Sequence, residues 1–379
     1  PSRMLSPWIW NEPSVPAEQR LALAALALDA RRPAEAISIV DAVPPTSGDT
    51  ATRSEISARA RLMQGRPADA LRLLSAVPAS ELTPGGALAL IDSTSASKGL
   101  SAAVAPSRQF DAATPAWRDV LARRVLLETV AGNRDAAARL RASLVALNPT
   151  TAAIADVEIA LAQERPHDAL ALLDALDSRS ASASRTTELR AAALEGIGDE
   201  AGAATLLSKL TVEEPTTASF AIRYAMVQWR LHPQADTQQA VLNLPAQWPG
   251  NQDAAIAAST IFVVEGRFPD ALDTLGPPAS WGQLPVTGRL LAARSLRSLG
   301  RAPEALALLD DLSNLAASGA VLRAELIASV RGASEANAVF RSMAASSGAT
   351  PDLYLSWSAI APSESDRLGV LTAGSERFP

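Results

Sequence analysis

Apolar residues recur along most of this chain with the spacing of amphipathic helices. The segments 64–74, 265–275 and 299–309 read QGRPADALRLL, EGRFPDALDTL and LGRAPEALALL. After the turn residues, alanine and leucine positions follow one another at intervals of one, three and four, which places them on one face of a helix. Each segment therefore predicts a turn followed by a helix.

The residues at the turn explain why one helix ends there and the next begins. Gly65, Gly266 and Gly300 can adopt the left-handed conformation that stops a helix. Proline fits the first turn of the next helix because its missing N–H would have no partner there, and an acidic residue suits the positive helix end. We therefore expect each segment to be the hairpin between two helices.

This hairpin returns at a nearly constant interval. Successive gaps are 34, 34, 33, 32, 34, 34, 34, 34 and 32 residues between the aligned positions Ala36, Ala70, Val104, Ala137, Ala169, Ala203, Thr237, Ala271, Ala305 and about Asn337. A fixed period in this range indicates a stacked array of helix pairs.

With these features the sequence resembles the tetratricopeptide repeat (TPR) family. The shared features are the period, the glycine at the turn, the alanine that opens the second helix and the proline at several unit boundaries. The resemblance implies an all-α fold, a right-handed α-solenoid of stacked antiparallel helix pairs with about ten repeats at 16–350. The third unit, 79–115, is degenerate. An extended N-terminal arm at 1–15 and C-terminal capping helices at 351–379 complete the predicted organisation.

Composition restricts the classes of function. The chain has 379 residues, a net charge of −6, two lysines (Lys98 and Lys209) and no cysteine. An acidic chain is a poor general ligand for nucleic-acid phosphates, and without cysteine there is no disulfide, thiolate zinc site or cysteine nucleophile. No apolar stretch has the length of a transmembrane segment. Because the chain starts at Pro1 without methionine, we expect it to be part of a larger parent protein.

The sequence offers no motif for catalysis or for a cofactor. It lacks a G-x-S-x-G elbow, a phosphate-binding glycine loop and an H-E-x-x-H pair. His167 and His232 fall at separate predicted turns, where solvated histidines are the usual case. We therefore expect a protein that is not an enzyme, with no catalytic residues, no cofactor and no metal.

The resemblance also suggests a binding surface. In the TPR family the first helices line a concave groove that receives a protein segment. The groove positions carried onto this chain are Ile222, Met226, Trp229, Ile256, Thr260, Val263, Leu290, Arg294 and Arg297. An apolar floor flanked by arginines suits a segment with hydrophobic anchors and an acidic end. The alternatives are that Met226 and Trp229 belong to the core and that the two arginines are solvated.

Together these features lead us to expect an interaction scaffold that binds a protein or peptide segment. The alanine-rich, divergent repeats resemble periplasmic repeat regions of bacterial exopolysaccharide exporters and envelope assembly factors, which implies a periplasmic location. Two alternatives remain: the substrate-recognition part of a larger enzyme, and a cytoplasmic regulatory adaptor. Self-association is a further hypothesis, since Trp8, Trp10 and exposed terminal helix faces could pair two copies.

Overall fold

The described part of the chain is built from helices. A computed structural model describes residues 15–44, 49–110, 114–176, 183–312, 315, 317–345 and 349–378, and all regular elements within these ranges are helical. The predicted all-α solenoid of antiparallel helix pairs is therefore confirmed. The predicted arm at 1–15 lies, except for Val15, outside the described residues.

Consecutive helices form hairpins along the whole chain. In chain order the hairpins are α1 (Ala17–Asp29) with α2 (Pro33–Asp41), α3 (Thr50–Met63) with α4 (Pro67–Leu74), α5 (Pro84–Lys98) with the short α6 (Val104–Ser107), α7 (Arg118–Val130) with α8 (Arg134–Leu147), α9 (Pro149–Ala162) with α10 (Pro166–Ala175), α11 (Ala183–Gly196) with α12 (Glu200–Glu213), α13 (Ala218–Leu231) with α14 (Ala235–Leu242) and the short α15 (Leu244–Gln247), α16 (Gln252–Val264) with α17 (Phe268–Leu275), α18 (Val286–Ser298) with α19 (Ala302–Ala307), α20 (Ala317–Arg331) with α21 (Ala333–Ala344), and α22 (Pro351–Ala359) with α23 (Glu364–Arg377). We call the first member of each pair its first helix.

The predicted glycine turns are present. Gly65, Gly266 and Gly300 have φ angles of +66°, +73° and +75°, the left-handed conformation that ends the first helix. Arg31 and Glu164 take the same turn position in other hairpins, with φ angles of +58° and +56°. Their side chains disfavour this conformation, so the turn is determined by the hairpin packing as well as by glycine.

Small residues let the two helices of a hairpin approach closely. The aligned alanines with no exposed surface are Ala36, Ala70, Ala169, Ala203, Ala271 and Ala305. In α16 the buried Ser259 hydroxyl donates a hydrogen bond to the carbonyl of Ala271, with an O–O distance of 3.0 Å. In the tenth hairpin the alanine without exposed surface near the start of α21 is Ala336, one position before the expected Asn337. The period in the sequence therefore follows a repeated helix contact.

The third hairpin departs from the pattern of the others. Its second half consists of a 3₁₀ turn at Leu100–Ala103 and the four-residue α6. An aromatic contact fills part of the space: the Phe110 and Trp117 rings stack with centroids 5.9 Å apart. The Arg124 guanidinium also donates a 2.7 Å hydrogen bond to the Phe110 carbonyl. Polar and aromatic contacts therefore replace the missing helix.

The chain forms two compact units, Pro1–Ala258 (unit 1) and Ser259–Pro379 (unit 2), with the boundary inside α16. The predicted division at 15 and 350 stays a prediction. In unit 2 the last hairpin packs on its predecessor through parallel stacking of Phe340 and Trp357, whose centroids lie 6.3 Å apart. Across the ranges that the structure describes, no helix is both long and apolar enough to span a bilayer.

Candidate partner-binding site

A cavity of about 520 Å³ opens on the face that the first helices of unit 1 share. Four successive first helices, α5, α7, α9 and α11, contribute its lining, together with the residue that precedes α9. Leu88, Ala122, Ile154 and Ala155 form an apolar floor. Such a combination of apolar floor and polar edge is typical of pockets that receive a side chain of a ligand or partner.

The start of α9 determines one edge of this cavity. Pro149 occupies the first turn, and the Asn148 side chain caps the helix by accepting a 2.9 Å hydrogen bond from the Thr151 backbone N–H. This cap places Thr150 and Thr151 at the cavity edge. Their hydroxyls and the remaining donor of Asn148 offer hydrogen bonds to an incoming backbone.

Alternating charges, which we call the charge ladder, are formed by Asp92, Arg123, Glu158 and Arg185, and the last three line the cavity. Each residue comes from a different first helix of unit 1. Arg123 Nε lies 2.9 Å from Asp92 Oδ1, and Arg123 Nη1 lies 3.6 Å from Glu158 Oε2. Arg185 pairs with the same glutamate from the other side. The ladder thus joins four consecutive hairpins by side-chain contacts.

The position of the ladder changes the proton affinity of its members. Loss of hydration raises the pKa of Asp92; Glu158 adds to this increase, while Arg123 and Arg185 oppose it. Burial by itself lowers the pKa of Arg185, but Glu188 and Glu158 outweigh that effect and the pKa lies above its ordinary value. The charges are therefore compensated within the protein, and a partner must exchange ion pairs to contact them.

A second group of ion pairs lies further along the first helices of unit 1. The Arg223 guanidinium of α13 is 2.5 Å from Glu195 of α11. Arg230 contacts Glu195 at 3.1 Å and Glu200 at 2.7 Å. The carboxylate of Glu195 is thus held between two arginines.

The predicted groove residues of unit 1 are largely packed. Ile222 is 6% exposed and belongs to the core of α13. Met226, Trp229 and Ile256 are partly buried. A core role and a role in partner contact both fit this degree of exposure, so the assignment of these residues to a groove stays a prediction.

In unit 2 the predicted residues differ in their surroundings. Thr260, Val263 and Leu290 are partly buried, whereas Arg294 and Arg297 are exposed. Arg297 pairs with Glu325 of α20. Arg294 has no ion-pair partner among the residues that the structure describes. Of the two arginines, Arg294 is therefore the one with an available charge.

The predicted groove residues lie on α13, α16 and α18, whereas the cavity is lined by α5, α7, α9 and α11, and the sequence did not single out the charge ladder. The ladder positions are separated by 31, 35 and 27 residues, from 92 to 123, 158 and 185. These spacings depart from the repeat period, so aligning charged residues on that period does not bring the four positions together. Their contacts depend on how successive hairpins rotate, which the period does not specify.

The described residues contain no group of three or more side chains able to hold a metal ion. His167 and His232 are exposed and belong to different hairpins. The features of the site are those of a binding surface, with an apolar floor, hydrogen-bonding groups and compensated charges.

Comparisons with known proteins give distant structural similarity only. No protein-family model matches this sequence, and no curated protein matches it. The solved structures that it resembles include yeast Tom70 (13% identity, TM-score 0.48, covering 98% of this chain and 91% of that one). A second is a tetratricopeptide repeat protein from Parabacteroides merdae (13% identity, TM-score 0.40, covering 68% of this chain and 98% of that one). A third is the APC/C hetero-tetramer Cut9–Hcn1 (12% identity, TM-score 0.45, covering 98% of this chain and 80% of that one). At these identities the likeness concerns the fold alone.

Proposed function

We propose that this protein is a non-enzymatic scaffold whose first-helix face binds a segment of a partner protein. The observation that carries this proposal is the 520 Å³ cavity bounded by α5, α7, α9 and α11. A helical array presents an extended surface by stacking equivalent helices, and binding along such a surface is how repeat scaffolds use their shape. The cavity provides a place on that surface for a side-chain anchor.

The chemistry of the site specifies what the partner segment contains. An aliphatic side chain fits on the floor of Leu88, Ala122 and Ile154, and its burial supplies the affinity. Backbone groups beside this anchor meet the polar edge at Thr150 and Thr151. The charge ladder selects against segments that cannot replace its ion pairs, since an unpaired buried charge is costly.

The predicted acidic end of the partner also belongs to this proposal. In unit 2, Arg294 is exposed and available, and it provides a guanidinium for a carboxylate. We assign the scaffold to a bacterial envelope or exopolysaccharide export assembly in the periplasm, a setting supported by the alanine-rich, divergent repeats. The competing settings are a cytoplasmic adaptor and the recognition part of a larger enzyme.

The proposal is tested by affinity capture from separated envelope and soluble fractions of the source organism. The cavity is filled in an Ala122→Trp variant, in which a partly buried alanine becomes a bulky aromatic residue. Val212→Trp is the matched control, because Val212 is 78% exposed on α12, a second helix. Quantitative mass spectrometry compares proteins retained by the wild type and the two variants.

We expect a specific protein to be retained by the wild type and the control and to be lost with Ala122→Trp. Recovery from the envelope fraction supports the proposed setting, whereas recovery from the soluble fraction favours a cytoplasmic adaptor. Equal retention by all three proteins would show that the cavity does not bind the partner. Circular dichroism of each variant checks that the fold is intact.

A further inference from the structure

Two hairpins at the beginning of unit 1 contact the turns that begin two much later hairpins. Arg31, in the turn between α1 and α2, has its Nε 3.9 Å from Oε2 of Glu214, which directly follows α12 in the turn that leads to α13. These residues are separated by 183 positions (from 31 to 214). In a linear helical array each repeat contacts only its neighbours, so this contact is additional to the stacking of the solenoid.

A second contact repeats the arrangement one hairpin further along. Gly65, in the turn between α3 and α4, approaches the beginning of α16. A Cβ atom at Gly65 would lie 2.8 Å from Asp253 Oδ2 and 2.9 Å from Asn251 Oδ1. A Cβ atom this close would force the side chains of Asp253 and Asn251 to shift, and the positive φ of Gly65 independently favours glycine.

The second contact is the equivalent of the first, shifted by one hairpin on each side. Hairpin 1 meets the start of hairpin 7, and hairpin 2 meets the start of hairpin 8, with sequence separations of 183 and 186 (from 65 to 251). Successive superhelical turns of the array, which we call coils, therefore touch edge to edge within unit 1. We call this line of contact the seam and define it by Arg31, Gly65, Glu214, Asn251 and Asp253.

The seam is close but incompletely packed. A cavity of about 130 Å³ lies within it, lined on one side by Leu62 and Met63 and on the other by Thr217 and Ser219. The Arg31 side chain is 54% exposed, and an ion pair as open and long as that with Glu214 contributes little to stability. Such an interface holds the coils together without the extensive apolar burial that joins neighbouring hairpins.

We infer that the seam is a reversible closure that controls access of a bulky partner to the first-helix cavity. While the seam is closed, the two coils of unit 1 touch at the seam residues. When it opens, the two coils separate and a segment can reach the first-helix face from the side. The consequence for partner binding rests on the function proposed above, whereas the closure itself does not.

The absence of cysteine from the sequence allows site-specific labelling. Arg72 and Glu213 are exposed and lie on hairpins on opposite sides of the seam. Nitroxide labels on Arg72→Cys and Glu213→Cys report the distance between these hairpins by double electron–electron resonance. The same labels are placed in a Gly65→Asn background, where the added side chain meets Asp253 and Asn251.

Gly132→Asn is the matched control. Gly132 is a hairpin glycine with a φ of +78°, but a Cβ at this position has no atom within 4 Å. Asparagine tolerates the left-handed conformation equally at both turns, so the two variants share any backbone cost. We expect a single short distance in the wild type and the control, and a longer or broader distribution in Gly65→Asn. Equal distributions of the label distance in all three proteins would show that Gly65 does not contribute to a contact between these hairpins.

Access is measured separately with Ala122→Cys as a reporter in the cavity. N-ethylmaleimide serves as the small probe and a polyethylene-glycol maleimide as the bulky probe. We expect Gly65→Asn to increase the rate of the bulky reagent several-fold without changing that of the small reagent, and Gly132→Asn to change neither. A longer label distance with an unchanged bulky rate would overturn the role in access. Neither readout requires a partner, so failure of the seam and failure of the proposed scaffold function are distinguishable.

Discussion

Arg108 and Glu128 form a two-pronged ion pair that joins the shortened third hairpin to the fourth. Arg108 Nε and Nη2 donate to the two carboxylate oxygens of Glu128 at 2.6 and 2.7 Å. Asn133 adds a third hydrogen bond at 2.6 Å, and Glu128 is only 2% exposed. This contact occurs where the array lacks a full second helix, so it compensates for lost helix packing.

We expect Glu128→Gln to lower the free energy of unfolding at neutral pH by about 1–3 kcal/mol, the range for a buried polar group that loses its partners. The hydrogen bonds from Arg108, together with that from Asn133, lower the pKa of Glu128 despite its burial. The stabilisation is therefore present above the ordinary glutamate pKa of about 4.3 and is lost as pH falls through the lowered value. Urea unfolding over a pH series measures the difference.

Glu304→Gln is the control for this measurement. Glu304 also accepts two hydrogen bonds from one arginine, Arg301, but the pair lies on the surface of unit 2. An exposed pair is screened by water, and its loss is expected to leave unfolding nearly unchanged. Equal effects of the two substitutions would show that Glu128 does not stabilise the third hairpin through its burial.

The turn at Glu164 predicts a stabilising substitution. Its φ of +56° places a side chain in the left-handed conformation that glycine adopts in the other hairpins. Relief of this strain by Glu164→Gly is expected to raise the free energy of unfolding by about 1 kcal/mol. The reverse change at an equivalent open turn, Gly132→Ala, is expected to lower it. Thermal and urea unfolding of both variants test the pair, and a loss of stability in Glu164→Gly would contradict the explanation.

The sequence predicted the hairpins well because local chemistry determines them. Gly65, Gly266 and Gly300 adopt the expected turn, and the buried alanines follow the expected period. The charge ladder and the seam were not predicted, because both depend on the rotation between successive hairpins. Asp92 and Arg123 meet because of that rotation. Gly65 meets Asp253 only after the rotation has accumulated over several repeats. The sequence period carries little information on that angle.

The raised pKa of Asp92 leads to a prediction of the opposite sign to that for Glu128. Its first cause is desolvation; Arg123 lowers the pKa, Glu158 raises it, and Arg185 lowers it. The folded state therefore holds the Asp92 proton more tightly than the unfolded chain, whose pKa is about 3.9. This contribution to stability is present below that value and is lost as pH rises through the raised pKa.

We expect Asp92→Asn to remove that pH-dependent contribution. The unfolding free energy of the wild type relative to that of the variant then decreases as pH rises from the ordinary aspartate pKa through the raised pKa of Asp92. Urea unfolding of both proteins over this range provides the measurement. A constant difference at every pH would show that Asp92 titrates alike in the folded and unfolded states.

Substitutions of the two arginines of α18 are expected to have different effects in a test of partner binding and stability. Arg297→Glu places a carboxylate beside Glu325, its present partner, and the lost attraction and new repulsion weaken the contact between α18 and α20. Arg294→Glu changes an exposed side chain and is expected to alter stability by less than about 0.5 kcal/mol. Loss of partner capture in Arg294→Glu with unchanged unfolding would support direct contact with the partner. Undiminished capture would exclude Arg294 from the binding surface.

The seam is expected to respond to pH through Asp253, an exposed residue whose pKa is raised by partial loss of hydration beside the opposite hairpin. Arg31 lines the same small cavity and pairs with Glu214. The closed seam holds the Asp253 proton more tightly than an open seam, in which water restores the ordinary pKa. Protonation therefore favours closure, and closure weakens as pH rises through the raised pKa.

Distances between labels at positions 72 and 213, measured from about pH 4 to about pH 8, spanning the ordinary aspartate and histidine values, test this coupling. We expect the wild-type distribution to lengthen with increasing pH. Asp253→Asn, which cannot ionise, should keep the short distance throughout, because its neutral amide resembles the protonated carboxyl beside Gly65. A pH response that persists in Asp253→Asn would assign the titration to another group. A short distance at every pH in the wild type would show that ionised Asp253 is tolerated within the closed seam.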